Sequence, residues 1–166
     1  MIDALAQRPA WRLLVVGNGD RAAMLEQAER AGVRQRITFA GRVADPERYL
    51  AASDALVMPS GYEPWGNAVL EACATGLPVV VAPGQGVNDF VVHEASGLIV
   101  EPDAAAIAAA LLSLETVERR HVIGEAARVH AANYSFAAVA DAYEELLFNR
   151  PLKPVRADPA TPGVLH

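Results

Sequence analysis

Cysteine is nearly absent from this 166-residue chain. Cys73 stands alone, which excludes an intrachain disulfide and suits a reducing compartment. No apolar run approaches the ~20 residues of a membrane span, and the start Met1-Ile2-Asp3-Ala4 lacks the basic-then-apolar pattern of a signal peptide. A cytoplasmic protein is the expectation. An excess of positive charge is also lacking: the net charge of −6 argues against nucleic acid or an anionic membrane as partner. Lysine is scarce beside abundant alanine and arginine, as in proteins from GC-rich bacterial genomes. The composition of disorder is missing too. With 52% hydrophobic and 20% charged residues, the length fits one globular domain with a real core. No internal repeat is visible.

Several site signatures are absent. There is no Gly-x-Ser-x-Gly nucleophile elbow. His93 has no second histidine at metal spacing, and His121 and His130, nine residues apart on one helix, do not share a face. The first strand does not end in an acidic cluster, which excludes a receiver domain. Gly17-Asn18-Gly19 follows a strand, but the third glycine of a dinucleotide fingerprint is missing, and no acidic residue ends a second strand ~20 residues on. That turn is either a plain strand-to-helix connection or one wall of a ligand cleft. Cys73, among alanines in a helix, reads as a small buried hydrophobe.

What remains alternates strand and helix. Strands are expected at Leu13–Val16, Arg36–Ala40, Ala55–Met58, Pro78–Val81 and Gly97–Val100. Helices are expected at Met1–Arg8, Arg21–Ala31 behind an Asp20 cap, from Asp45-Pro46 through Ala52, at Asn67–Thr75, from Asp103 to Leu114, at Val117–Ala132 and at Ser135–Phe148. Gly32 and Gly76 close two of them, and Asp89–His93 reads as a helical turn. Short strands that are apolar on both faces imply a parallel sheet covered by helices on both sides, an α/β fold over residues 1–150. The tail Pro151–His166 carries four prolines and no apolar periodicity, and is expected to be extended or disordered.

The chain is organised around Ser60–Ala72. A strand ends at Met58, a loop runs through Pro, Ser and Gly, and a helix opens at Gly66 and Asn67. In open α/β sheets, ligands bind beyond the carboxyl ends of strands, on helix N-termini. Glu63 and Glu71 bracket this opening, eight residues apart. From the residues alone, each is either a site carboxylate or a solvated surface charge.

These segments, in this order, resemble the nucleotide-sugar-binding half of family-four retaining glycosyltransferases, which have the GT-B fold with Rossmann-like halves. Leu14-Val15-Val16-Gly17-Asn18-Gly19 resembles the family's IVGxG strand and turn. Arg36–Val43 resembles its VxFxGxV strand, and Tyr49–Ser60 its A-D-x4-P-S segment. Glu63-Pro64-Trp65-Gly66 through Glu71-Ala72 resembles its Glu-x7-Glu motif, with Trp where Phe is commoner. Gly76–Val80, Ser96–Val100 and Tyr134-Ser135-Phe136 are further matches. The resemblance covers roughly residues 12 to 148.

The resemblance implies roles for these residues. Backbone N–H groups of Gly66, Asn67 and Ala68, beside Trp65, would meet the donor diphosphate, and Glu71 would meet the ribose hydroxyls. Glu63, in the catalytic position, would hold the transferred sugar. Arg42 and Val43 would form the base pocket, and Gly17 and Gly19 would keep the cleft wall low. It implies no metal and no cofactor beyond the nucleotide diphosphate sugar. The family's phosphate-binding Arg and Lys, on a segment before IVGxG, are not in this chain. Nor is the acceptor-binding N-terminal domain, through which a full-length protein would reach the inner face of a membrane. The chain is therefore expected to be a truncated donor-binding half that binds nucleotide weakly and transfers nothing alone. The other readings are half of a nucleotide-sugar epimerase, or a noncatalytic interaction module that would form a homodimer through its exposed cleft.

Overall fold

A computed structural model describes residues 1–60, 66–84 and 86–148. Glu63, Trp65 and the tail Pro151–His166 lie outside the described residues. The chain divides into two compact units, Met1–Ala132 and Asn133–His166.

The first unit is α/β and Rossmann-like. Its strands are β1 (Leu13–Val16), β2 (Ile37–Gly41), β3 (Leu56–Met58), β4 (Val79–Val81) and β5 (Leu98–Ile99). Its helices are α1 (Ile2–Ala6), α2 (Arg21–Arg30), α3 (Pro46–Ala51), α4 (Asn67–Ala74), α5 (Ala104–Ser113) and α6 (Val117–Ala131). Every strand pair is parallel. The strands form two groups, β1–β2 and β3–β4–β5. Leu13 lies opposite Ile37 in the first group; Met58 lies opposite Val81 in the second.

Both faces of the second group are covered. Val80 packs with Leu98, Ala110, Leu114 and Ile123 beneath α5 and α6. Val79 and Val81 point the other way along β4 and are equally buried. The first group packs Leu13, Val15, Ile37 and Phe39 against Ile2 and Leu5 of α1 and Ala28 of α2. α1 also reaches the second group's helices, since Ala4 packs with Ile107, Ala108 and Leu111 of α5. Trp11 touches all three of these core clusters.

Local chemistry explains the helix ends. Asp20 accepts from the Ala23 N–H, Asp103 from Ala105 and Ala106, and Thr116 from Arg119. At the other end, α2 and α4 close with the same motif. The Val33 N–H bonds the Ala28 carbonyl, and the Leu77 N–H bonds Ala72, around Gly32 and Gly76 at positive φ.

Two expectations shift. Residues Arg34–Arg36 form a 3₁₀ turn, so β2 starts at Ile37. Arg36 instead turns inward and donates to the carbonyls of Leu5, Arg8 and Trp11, which closes the C-terminal end of α1. The turn expected at Asp89–His93 lies earlier, at Val87–Asp89. His93 is drawn into an extended bridge with Gly97, and its Nδ1 accepts from the Ile99 N–H.

Cys73 is fully buried in α4, and burial pushes its thiol from an ordinary 9.0 up to about 12. The folded chain then keeps this proton between about pH 9 and pH 12, while the unfolded chain loses it. The stability that Cys73 contributes is present below pH 9 and is lost as pH rises toward 12, by up to about 1.4 kcal/mol per pH unit. Urea unfolding across pH 8–11 should show that slope in the parent and a shallower one in Cys73→Ala.

The second unit contains α7 (Phe136–Leu147), capped by Ser135, whose hydroxyl accepts from the Ala138 N–H. Its residues Val139, Ala142, Tyr143 and Leu146 line a shallow apolar cavity of about 290 Å³.

Candidate nucleotide-binding site

The parallel strands carry their loops to one edge. Ala10 and Trp11, which lead into β1, and Asp54, which leads into β3, line a common cavity. Both groups therefore start on one side, and their carboxyl ends open on the other. At that open edge lie the turn after β1 (Gly17–Asp20), the segment after β2 (Arg42–Asp45), the start of α4, and the loop after β4.

The turns after β1 and β2 are tied together. The Gly17 N–H donates to the Gly41 carbonyl at 2.7 Å. Gly17 has φ +115 and Gly41 φ +70, conformations that a side chain would strain. A Cβ built at Gly17, Gly19 or Gly41 meets nothing within 4 Å, so all three border open space. Arg42 is exposed and Val43 is half-buried just beyond Gly41. Arg21, the first residue of α2, lies on the same edge with its guanidinium 5.2 Å from the centre of the Phe39 ring. Reading the glycine turn as a backbone feature left out this cation; its position directly after Asp20 was the available signal.

α4 starts differently from the other long helices. α2, α5, α6 and α7 each begin on a side-chain oxygen that accepts a backbone N–H, whereas α4 begins on Gly66, in the left-handed region at φ 77, with no side-chain cap. The Gly66 carbonyl accepts from Val69 and Leu70, at 2.8 and 3.0 Å. Among the described residues, no acceptor is bonded to the N–H groups of Asn67 or Ala68. Unpaired N–H groups and the helix dipole make such an end attractive to an anion.

Glu71 lies on the exposed face of α4. Asn67, Ala68 and Glu71 are exposed, while Gly66, Val69, Ala72 and Cys73 are buried. Glu71 lies one turn beyond Asn67 and Ala68, so its carboxylate shares their face. Among the described residues it makes no ion pair. The structure thus brings together Gly17, Gly19, Arg42 and Val43 around the hydrogen-bonded turns, and Gly66, Asn67, Ala68 and Glu71 on α4. Among the described residues, no helix is long and apolar enough to cross a membrane.

This architecture and sequence match known proteins. The family model for group 1 glycosyl transferases matches residues 1–116. The lipopolysaccharide core biosynthesis glycosyltransferase LpsE of Rhizobium meliloti is 34% identical over 163 residues, covering 91% of this chain and 46% of LpsE. A D-inositol 3-phosphate glycosyltransferase of Segniliparus rotundus is 33% identical over 174 residues, covering 95% of this chain and 38% of that protein. Among solved structures, Anabaena HepE in complex with UDP superposes with a TM-score of 0.83 at 27% identity, covering 89% of this chain and 44% of HepE. The chain spans less than half the length of these relatives. Their fold is GT-B, and this chain matches one Rossmann-like half of it. On sequence and fold together, the chain belongs to the group 1 glycosyl transferases.

Proposed function

We propose that this chain is the donor-binding half of a glycosyltransferase that moves a sugar from a nucleotide diphosphate sugar to an acceptor with retention. The observation that carries this reading is the start of α4. An uncapped helix N-terminus and a carboxylate one turn on share one exposed face at the carboxyl edge of the strands. That pairing suits a nucleotide diphosphate. The diphosphate sits on the N–H groups of Gly66, Asn67 and Ala68, where the helix end stabilises its charge. The ribose diol donates to Glu71, because an ionised carboxylate only accepts and has two oxygens to do so. Arg42 and Val43 flank the base. Gly17 and Gly19 leave room beside the phosphates. Glu63, with Trp65 just ahead of α4 in the sequence, holds the hydroxyls of the transferred sugar. The solved structures of HepE with UDP, and with UDP and glucose, support a nucleotide-sugar donor.

Transfer needs more than this half. The leaving diphosphate gains charge as the glycosidic bond breaks, and cations must meet that charge in the transition state. The acceptor hydroxyl must be held within reach of the anomeric carbon. By the family resemblance, the cations come from a segment before β1 and the acceptor hydroxyl from a second, acceptor-binding domain, so this chain alone binds nucleotide weakly and transfers nothing. Calorimetry with UDP, GDP and ADP, each with and without its sugar, tests the reading. One nucleotide should bind in the micromolar-to-millimolar range. Glu71→Ala should weaken it about tenfold or more, the loss of hydrogen bonds to a charged group. No binding of any of them at millimolar concentration, or a Glu71→Ala variant that binds like the parent, would contradict it.

A further inference from the structure

We propose, resting on the donor-site reading above, that Arg21 is a phosphate-binding residue: its guanidinium, held on the Phe39 ring beside the glycine turn, takes part of the donor's diphosphate. Apart from Arg21 and Arg42, every described arginine donates to a backbone carbonyl or pairs with a carboxylate, as Arg36 does with three carbonyls and Arg128 with Glu125. The guanidinium groups of Arg21 and Arg42 have no such partner among the described residues. Both residues are exposed on the carboxyl edge of the strands, Arg21 two positions after Gly19 and Arg42 directly after Gly41. The Gly17 N–H ties these two turns together through the Gly41 carbonyl. In a chain of net charge −6, two unneutralised cations flanking one pair of bonded turns make a local place for an anion.

Of the two, Arg21 is the one held in place. Its guanidinium carbon lies 5.2 Å from the centre of the Phe39 ring. Phe39 is itself anchored, opposite Val15 in the β1–β2 ladder and packed against the core that includes Ala28 of α2. A guanidinium over a ring gives up one face and keeps its in-plane N–H donors. Those donors form the fork that meets two phosphate oxygens at once. Room for the phosphate is present, since a Cβ at Gly17, Gly19 or Gly41 would meet nothing within 4 Å.

The carboxylates beside these turns are committed elsewhere. Asp45 pairs with Arg48 at 3.2 Å, and Asp20 accepts from the Ala23 N–H at 3.0 Å. Asp20 thereby closes the start of α2, so an anion meets this wall through the Arg21 side chain and not through the helix end. The start of α4 is the opposite case, with no side-chain cap. One phosphate group rests on the α4 N–H groups, and Arg21 takes the other. Arg21 therefore sets a preference for nucleoside diphosphates over monophosphates.

Titrations with UDP, GDP and ADP, with UMP, GMP and AMP, and with inorganic pyrophosphate test this, followed by NMR at the Asn67 and Ala68 amides and at arginine Nε–Hε. The Arg21 Nε–Hε resonance should move with the diphosphate that binds and with pyrophosphate, and stay in place with the matching nucleoside. Arg21→Gln should weaken the diphosphate about tenfold or more and the monophosphate about twofold at most, the loss of charge-assisted hydrogen bonds to one phosphate group. Arg21→Lys, which keeps the charge and loses the fork, should fall between Arg21→Gln and the parent. Glu71→Ala should weaken diphosphate and monophosphate alike, because both carry the ribose. If Arg21→Gln weakens the two alike, or neither, while Glu71→Ala weakens both, the Arg21 assignment is overturned and the donor site stands. An Arg21 resonance unmoved by the bound diphosphate would overturn it equally. A parent chain that binds none of these nucleotides overturns the donor site and the Arg21 assignment together.

Discussion

Gly124→Ala should destabilise the first unit by about 2–3 kcal/mol, although glycine-to-alanine in an exposed helix interior ordinarily stabilises by up to about 1 kcal/mol. The sign changes because of what lies against α6. A Cβ at Gly124 would fall far inside van der Waals contact with the Gly76 carbonyl oxygen and 2.9 Å from its carbon. Neither partner yields easily. Gly76 sits at φ +76 as the closing residue of α4, and two residues later Pro78 leads into β4. The Gly76 N–H and the Leu77 N–H are both committed to α4 carbonyls. Making room for a methyl group therefore moves α6 away from α4 or unwinds the end of α4. For a chain of this length, the loss should lower the melting temperature by roughly 4–12 °C. A Gly124→Ala variant that melts at or above the parent would show that the two helices do not approach so closely.

Leu114→Ala should cost about 2–5 kcal/mol. Leu114 is fully buried at the end of α5, packed with Val80, Leu98, Ala110 and Ile123, where β4, β5, α5 and α6 meet. Its surroundings cannot collapse freely. Arg120 of α6 donates to the Leu114 carbonyl at 2.8 Å and to the Glu115 carbonyl at 3.1 Å, and it pairs with Asp54 at 3.3 Å. That network pins α5 to α6 and to the start of β3, so the cavity stays open and the cost lies in the upper part of the range. Urea unfolding followed by circular dichroism would read it as a lower midpoint with an unchanged slope. A loss below about 1 kcal/mol would mean that Leu114 does not hold this junction.

The elements themselves were legible because their signals are local. Leu13–Val16 is a strand with the expected bounds, and Asp20, Asp103 and Ser135 cap the helices that their positions foretold. Gly32 and Gly76 end helices because a left-handed residue is needed there. What stayed hidden depends on residues far apart in sequence. Arg36 looks like the polar first residue of a strand, but its guanidinium is spent on carbonyls about 30 positions earlier. Gly124 looks like a flaw in a helix until Gly76 is found against it. The division of the sheet cannot be read from strand composition, since each strand is apolar whichever neighbour it takes. The side of α4 that Glu71 takes is hard to read because alanine neighbours give α4 a weak amphipathic pattern; burial of Val69, Ala72 and Cys73 leaves Glu71 on the outward side.

The central claim is that the start of α4 receives a nucleotide diphosphate. Titrating the ¹⁵N-labelled chain with UDP, GDP and ADP and following backbone amide resonances tests it most directly. The account predicts that one nucleotide shifts Gly66, Asn67, Ala68 and Glu71 together, with Gly17, Gly19, Arg42 and Val43 moving at the same concentration. Inorganic pyrophosphate should shift Asn67 and Ala68 but leave Val43 in place. Shifts confined to other surfaces, or none at millimolar nucleotide, would contradict it.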